Sequence, residues 1–217
     1  NKGYYYYYFI QRGITMSSFL NLDIYTIVAR VMVILLILPL HEYAHAYAAR
    51  KCGDYTAESS GRLTLNPFAH VDPVGAVLLL LTGFGWAKPV PVNLANMKHR
   101  KAGMVVTALA GPLSNIVLGI VSAGILRLAL LGVDHFFAAD IDSLYVSILT
   151  QSAVSVSTPF LIVAIVVMMI YLSVLINFSY AVFNLIPVPP LDGSRIFYVL
   201  LPPKWYFGIM KHERIIM

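Results

Sequence analysis

Hydrophobic and polar positions fall along this chain in long blocks. From Ile24 to Leu40 a run of Ile, Leu, Val and Met is broken by little besides Thr26 and Arg30, and it ends abruptly in "HEYAH". About 20 apolar residues carry a helix across a bilayer. A first span is therefore predicted from about Asp23 to Arg50, helical throughout with a local adjustment at Pro39. A second block, about Ala102 to Leu131, carries Ala110, Gly111, Ser114, Gly119, Ser122, Ala123 and Gly124. Such small residues let helices approach closely in lipid. A third block runs from about Phe160 to Phe183, with Pro159 marking a break and an additional or interfacial helix before it.

The intervening stretches read differently. "KCGDYTAESSGRLTLNPFAHVDP" is polar and punctuated by Gly61, Pro67 and Pro73. "VGAVLLLLTGFG" holds only about ten strongly apolar residues, too few to span, and suits a re-entrant or partly inserted segment. "WAKPVPVN" cannot be helix because Pro89 and Pro91 lack amide donors, and it reads as extended chain of the edge-strand kind. Together these blocks predict an all-α polytopic membrane protein. It has three core transmembrane helices, a re-entrant or extended segment, and additional short helices.

Composition agrees. The chain is 59% hydrophobic and 12% charged, with a mean hydropathy of +0.77; soluble domains run at roughly 45–50% apolar and about 25% charged. Residues 1–22 fit nothing that follows. Their tyrosine run is of low complexity and they lack the marks of a signal peptide. They read as an appended or upstream tail before one membrane-embedded domain over 23–217. Cys52, the sole cysteine, excludes an intramolecular disulfide and any CxxC site.

The net charge of +5 does not form a nucleic-acid stripe. Basic residues cluster at Arg50 and Lys51, at Lys98 to Lys101, and in "KHER" near the end, as cytoplasmic loops do. One orientation puts all of them inside and the acidic 132–143 loop outside. It also brings His41, His45 and Asp192 to the same leaflet.

The chemistry centres on "HEYAH". His41 and His45 at i and i+4 share a helix face and can hold one metal ion together. Glu42, beside the first ligand, can reach water at the metal and act as general base. Polar groups at membrane depth normally line a cavity or pathway. A catalytic zinc usually takes a third protein ligand, and Asp54, Glu58, His70, Asp72 and Asp192 are the candidates. Asp54 and Glu58 read as solvated, or as partners of Arg50 or Arg62, and Asp72 as a turn cap. Asp192, in the proline-rich "NLIPVPPLDG", is the strongest, although the residues alone leave His70 open.

Three motifs now come together: "HEYAH" in the first span, "AGPLSN" in the second and "NLIPVPPLDG" after the third. In this the chain resembles the site-2 protease family of intramembrane zinc metalloproteases, in its compact prokaryotic form without an inserted PDZ domain. Residues 184–193 match the family's NxxPxPxLDG at every fixed position. The resemblance implies one zinc per chain, held by His41, His45 and Asp192, with Glu42 as base. It implies that Asn184 helps hold the substrate carbonyl or its oxyanion. It implies, too, that an extended segment including Gly85, Trp86, Ala87, Lys88, Pro89 and Val90 pairs with a transmembrane protein substrate. The setting implied is a prokaryotic plasma membrane, with the site toward the cytoplasm. A membrane metal transporter or a catalytically silent scaffold would be the rival readings; a transporter would not need Glu42.

Overall fold

The computed structural model describes residues 24–83, 85–142 and 157–200. The tyrosine-rich tail, the stretch before Ser157 and the C-terminal segment lie outside them. Among the described residues the structure is helical, without a strand ladder, and three helices are long and apolar enough to cross a membrane: Thr26–Lys51, Arg100–Phe136 and Thr158–Asn184. The chain divides into two compact units, residues 1–107 and 108–217.

In the first unit, the first span is built from α1 (Ile24–Met32), a π-helical turn (Val33–Ile37) and α2 (Leu38–Lys51) in unbroken succession. The adjustment expected at Pro39 thus lies one turn earlier. Leu38 donates its amide to Val33, five residues back, in a widened turn of the kind that recurs near functional sites. Gly53, in the left-handed region at φ 101°, turns the chain after α2. Then come the short helix α3 (Thr56–Ser59), a 3-10 turn at Pro67–Ala69 and α4 (Pro73–Thr82).

Helix α4 is too short to span, as its apolar run implied. Asp72 caps its start by accepting from the Gly75 amide at 2.9 Å, the cap role expected for it. Its other end meets Arg30, buried on α1, which donates to the Leu80 carbonyl. A guanidinium at a helix C-terminus satisfies carbonyls that have no partner within the helix. The chain then runs back, extended, along α4. A Cβ on Gly75 would lie 2.2 Å from the Trp86 carbonyl oxygen, and one on Gly85 would lie 2.1 Å from that of Gly75. Both glycines permit a backbone-on-backbone approach that no side chain would allow.

The extended segment forms a single isolated antiparallel bridge, Val71 with Ala87, rather than the edge strand of a sheet. The pairing ends there because the partner chain turns into helix at Pro73, while the next inward groups of the segment go elsewhere, the Lys88 carbonyl to Arg62 and the Val90 amide to Glu42. A small core joins this segment to the histidine-bearing helix: Ala46, Ala57 and Val90, with Leu63 and Val92 against them.

In the second unit, α5 (Arg100–Phe136, entering from the first unit and carrying Pro112) and α6 (Thr158–Asn184) are linked by polar contacts at helical spacing. Asn115 donates to Asn177 at 2.9 Å, and Ser122 meets Ser173 at 3.0 Å. Gly119 lies against the Phe178 ring, close enough that a Cβ there would sit 3.0 Å from it. The small residues of the second span thus serve close packing, as expected in lipid. Their outward neighbours Val117, Ile120, Ile162 and Ile165 are exposed, a bilayer-facing surface on an integral membrane protein. Helix α7 (Asp192–Leu200) closes the described chain.

Candidate metal centre

His41 and His45 lie one turn apart on α2, both buried. Their rings meet edge to face, with centroids 4.6 Å apart and planes at 87°. Their Nε2 atoms are 3.0 Å apart. Two imidazole nitrogens sharing a tetrahedral zinc, each at roughly 2.0–2.1 Å, would stand about 3.3 Å from one another. The pair is therefore already close to the spacing of two ligands on one ion.

The Thr107 carbonyl orients the second ring. Nδ1 of His45 lies 2.7 Å from it, and a carbonyl can only accept, so the proton of the neutral ring sits on Nδ1. Nε2 then presents its lone pair toward His41. A hydrogen bond behind the ligand that fixes tautomer and ring orientation is typical of metal-binding histidines. Nothing in the sequence around Thr107 announced it.

Glu42 is buried beside the pair. Its carboxylate accepts from the Val90 amide at 3.2 Å, a contact across 48 residues of sequence. The extended segment thus reaches the centre of the site through its backbone. Lys88 donates its amide to the His70 carbonyl at 2.9 Å and accepts from Arg62 on its own carbonyl. Lys88 and Val90 therefore turn their backbone groups inward. In an extended chain the alternate residues face the opposite way, so Ala87, Pro89 and Pro91 form the other edge. Trp86 is exposed.

The other candidate ligands sort as follows. Glu58 pairs with Arg50 at 3.0 Å, as expected. His70 is fully buried, and its Nε2 bonds to the Thr64 carbonyl at 2.8 Å within its own turn. Asp54 departs from expectation: it is neither solvated nor an ion-pair partner. It has no exposed surface and accepts four hydrogen bonds, from the Thr56 amide and hydroxyl, the Asn93 amide and the Asn96 side chain. Burial by itself would push its carboxyl up, but these bonds outweigh burial and hold it below its ordinary value of 3.8.

Asp192 and Asn184 belong to the second unit. Asn184 ends α6, and its side-chain amide donates back to the Tyr180 carbonyl at 2.9 Å. Asp192 begins α7. The proline-rich link between them is folded on itself. Val188 bonds to Ile186, Leu191 to Val188, and Ser194 to Leu191 through both amide and hydroxyl. The Pro189–Pro190 peptide is cis. Gly193 lies so close to the Leu185 backbone that a Cβ there would sit 2.2 Å from its carbonyl oxygen. The glycine of "LDG" is thus required where it stands, a need that local sequence did not signal.

Two facing imidazoles with a carboxylate beside them, on a helix long and apolar enough to cross a membrane, form a donor set of the kind that metallohydrolases use. The chain belongs to peptidase family M50, the site-2 protease family, whose model matches residues 29–204. It is 36% identical over 188 residues to the "Putative zinc metalloprotease YwhC" of Bacillus subtilis, a match covering 87% of this chain and 76% of that protein. It is 34% identical over 99 residues to the "Putative zinc metalloprotease Rip2" of Mycolicibacterium smegmatis, covering 43% of this chain and 38% of that one. No solved structure matches it.

Proposed function

We propose that this protein is an intramembrane zinc metalloprotease that hydrolyses peptide bonds within or near the transmembrane segments of other membrane proteins. The observation that carries the reading is the His41–His45 pair, with the proton of His45 pinned on Nδ1 by Thr107 and Glu42 buried alongside. One zinc is held by His41, His45 and, from the NxxPxPxLDG motif, Asp192. Held there, zinc supplies a Lewis acid. Residues 23–217 act as one membrane-embedded domain.

Glu42 is the general base. It takes a proton from the attacking water and returns it to the departing amine, so that the peptide carbon gains oxygen as its bond to nitrogen breaks. The Val90 amide holds the carboxylate ready without occupying both of its oxygens. Asn184, with one amide hydrogen on Tyr180, has a second to offer the carbonyl oxygen as charge develops there.

A transmembrane helix satisfies its own amides, so a substrate must unwind to expose a bond. The freed backbone groups then need partners. The outward edge of the extended segment offers them. There Ala87, Pro89 and Pro91 present carbonyls, while the prolines withhold amides, so an added strand would donate more bonds than it accepts. Trp86 and Lys88 are exposed on the same segment. The basic loops support a site that faces the cytoplasm of a prokaryotic cell.

The decisive experiment compares wild type with Glu42→Gln in liposomes, on a panel of single-span substrates, with zinc measured on the same samples. Wild type should hold one zinc and cleave, and Glu42→Gln should hold zinc without cleaving. Cleavage by the variant at the wild-type rate would overturn the reading, as would a wild type that carries zinc and cleaves none of the panel.

A further inference from the structure

We propose that Asp54 is a positioning residue for the reaction, setting where the extended segment stands against Glu42. It rests on the proteolytic reading above, and nothing in the HExxH or NxxPxPxLDG patterns points to it.

The inference follows from a closed circuit of contacts within the first unit. Glu42 and Asp54 are carried by one rigid element. Asp54 lies just beyond α2, and its amide donates to the Ala49 carbonyl at 3.0 Å, which fastens it to the last turn of the helix that bears Glu42. Its carboxylate then reaches across to the extended segment, taking the Asn93 amide at 2.6 Å and the Asn96 side chain at 3.1 Å. The remaining bonds, from Thr56 at 3.1 and 2.5 Å, hold the carboxylate itself in place.

Between Asn93 and Val90 the chain is stiff. Pro91 fixes its own φ and restricts Val90 before it to extended conformations. Val90 then closes the circuit with its amide on Glu42. The two arms have matching lengths. Along the helix, Glu42 to Ala49 rises about 10 Å at 1.5 Å per residue; along the extended chain, Val90 to Asn93 covers about 10 Å at 3.3 Å per residue. Fastening Asn93 to Asp54 thus brings the Val90 amide level with Glu42. A neighbouring bond, from the Lys98 amide to the Cys52 carbonyl at 3.1 Å, joins the same two stretches of chain two residues before Asp54.

Only an ionised carboxylate can do this. Both oxygens receive donors, and each takes one from a backbone amide, Oδ1 from Thr56 and Oδ2 from Asn93, that cannot rotate away. An asparagine would turn an NH₂ group toward one of them. Loss of Asp54 should therefore let the segment slide. Its effect should fall on turnover and on the order of residues 86–97, while His41 and His45 stay on their helix.

The test uses the full chain in detergent micelles, with zinc content, cleavage kinetics on a single-span substrate already cut by wild type, and amide hydrogen exchange of residues 86–97. Asp54→Asn should keep wild-type zinc stoichiometry, lose at least tenfold in kcat, and exchange faster across 86–97. Asn96→Ala, which removes one donor of the four, should shift exchange and kcat the same way by a smaller factor and keeps the test valid if Asp54→Asn fails to fold. Wild-type kcat or unchanged exchange in the folded Asp54→Asn protein would overturn the proposal, as would loss of zinc. So would an Asn96→Ala protein identical to wild type in both measures. Failure of wild type to cut the substrate would instead strike the proteolytic reading, so the two failures are distinct.

Discussion

The backbone amide of Val90 donates to the carboxylate of Glu42 at 3.2 Å. Because the donor is backbone, Val90→Ala preserves it and Val90→Pro removes it. A hydrogen bond to a charged group is worth about 1.5–3 kcal/mol, so Val90→Pro should lower turnover roughly 10- to 100-fold, with zinc content unchanged. The extended run Pro89–Val90–Pro91 already suits proline, which keeps the substitution local. Val90→Ala loses core packing against Ala46 and Ala57 and should lower stability more than turnover. Equal kinetic loss in the two variants would mean that packing, not the amide, matters to Glu42.

Zinc content should separate the candidate third ligands. Asp192→Ala should strip the metal and abolish cleavage. His70→Ala should leave the metal bound and lower stability instead, because its ring is buried and bonded to Thr64 in its own turn. Retention of zinc by Asp192→Ala together with its loss from His70→Ala would reverse the assignment.

Asn184→Ala tests the oxyanion role. Removing one such donor lowers turnover by roughly 10²–10³, and zinc stoichiometry should not change. The alternative rests on the bond from Asn184 to the Tyr180 carbonyl. If the side chain only secures the end of α6, its loss should loosen the turn that leads to Asp192, and metal and activity would fall together. Cleavage rate and zinc, measured on one purified sample, tell the two apart.

Asp54 also predicts a pH dependence. Its carboxyl is held below 3.8 in the folded protein. A group with a depressed folded pKa contributes its full stability above the unfolded value, and that contribution is lost as pH falls through the folded pKa. Thermal stability in detergent should therefore drop for wild type as the pH is taken from 6 to below 3.8. Asp54→Asn should be less stable than wild type at pH 6 and should converge on it at the acid end. A constant difference across that range would rule out the carboxylate's charge as the cause.

Much of this protein is legible in one dimension, because the physics that decides it is local. Hydrocarbon admits only self-satisfied backbone, so long apolar runs had to be spanning helices. The described helices Thr26–Lys51, Arg100–Phe136 and Thr158–Asn184 follow those runs closely. The i, i+4 spacing put His41 and His45 on one face for the same reason, and Asp72 before Pro73 was recognisable as a cap.

What only the tertiary structure decided are contacts between residues distant in sequence, which no periodicity encodes. A polar loop reads as solvated, yet Asp54 is fully buried because four donors from two segments converge on it. "WAKPVPVN" reads as an edge strand. It is instead a nearly unpaired strut whose inward amides go to His70 and Glu42 and whose prolines leave the outward edge short of donors. Thr107 looks like any residue at the start of an apolar helix, yet its carbonyl decides which nitrogen of His45 carries the proton. Sequence alone determined which residues could do chemistry and which could cross lipid. Only the folded chain set the hydrogen bonds that orient His45 and Glu42, because their donors and acceptors lie on segments that folding alone brings together.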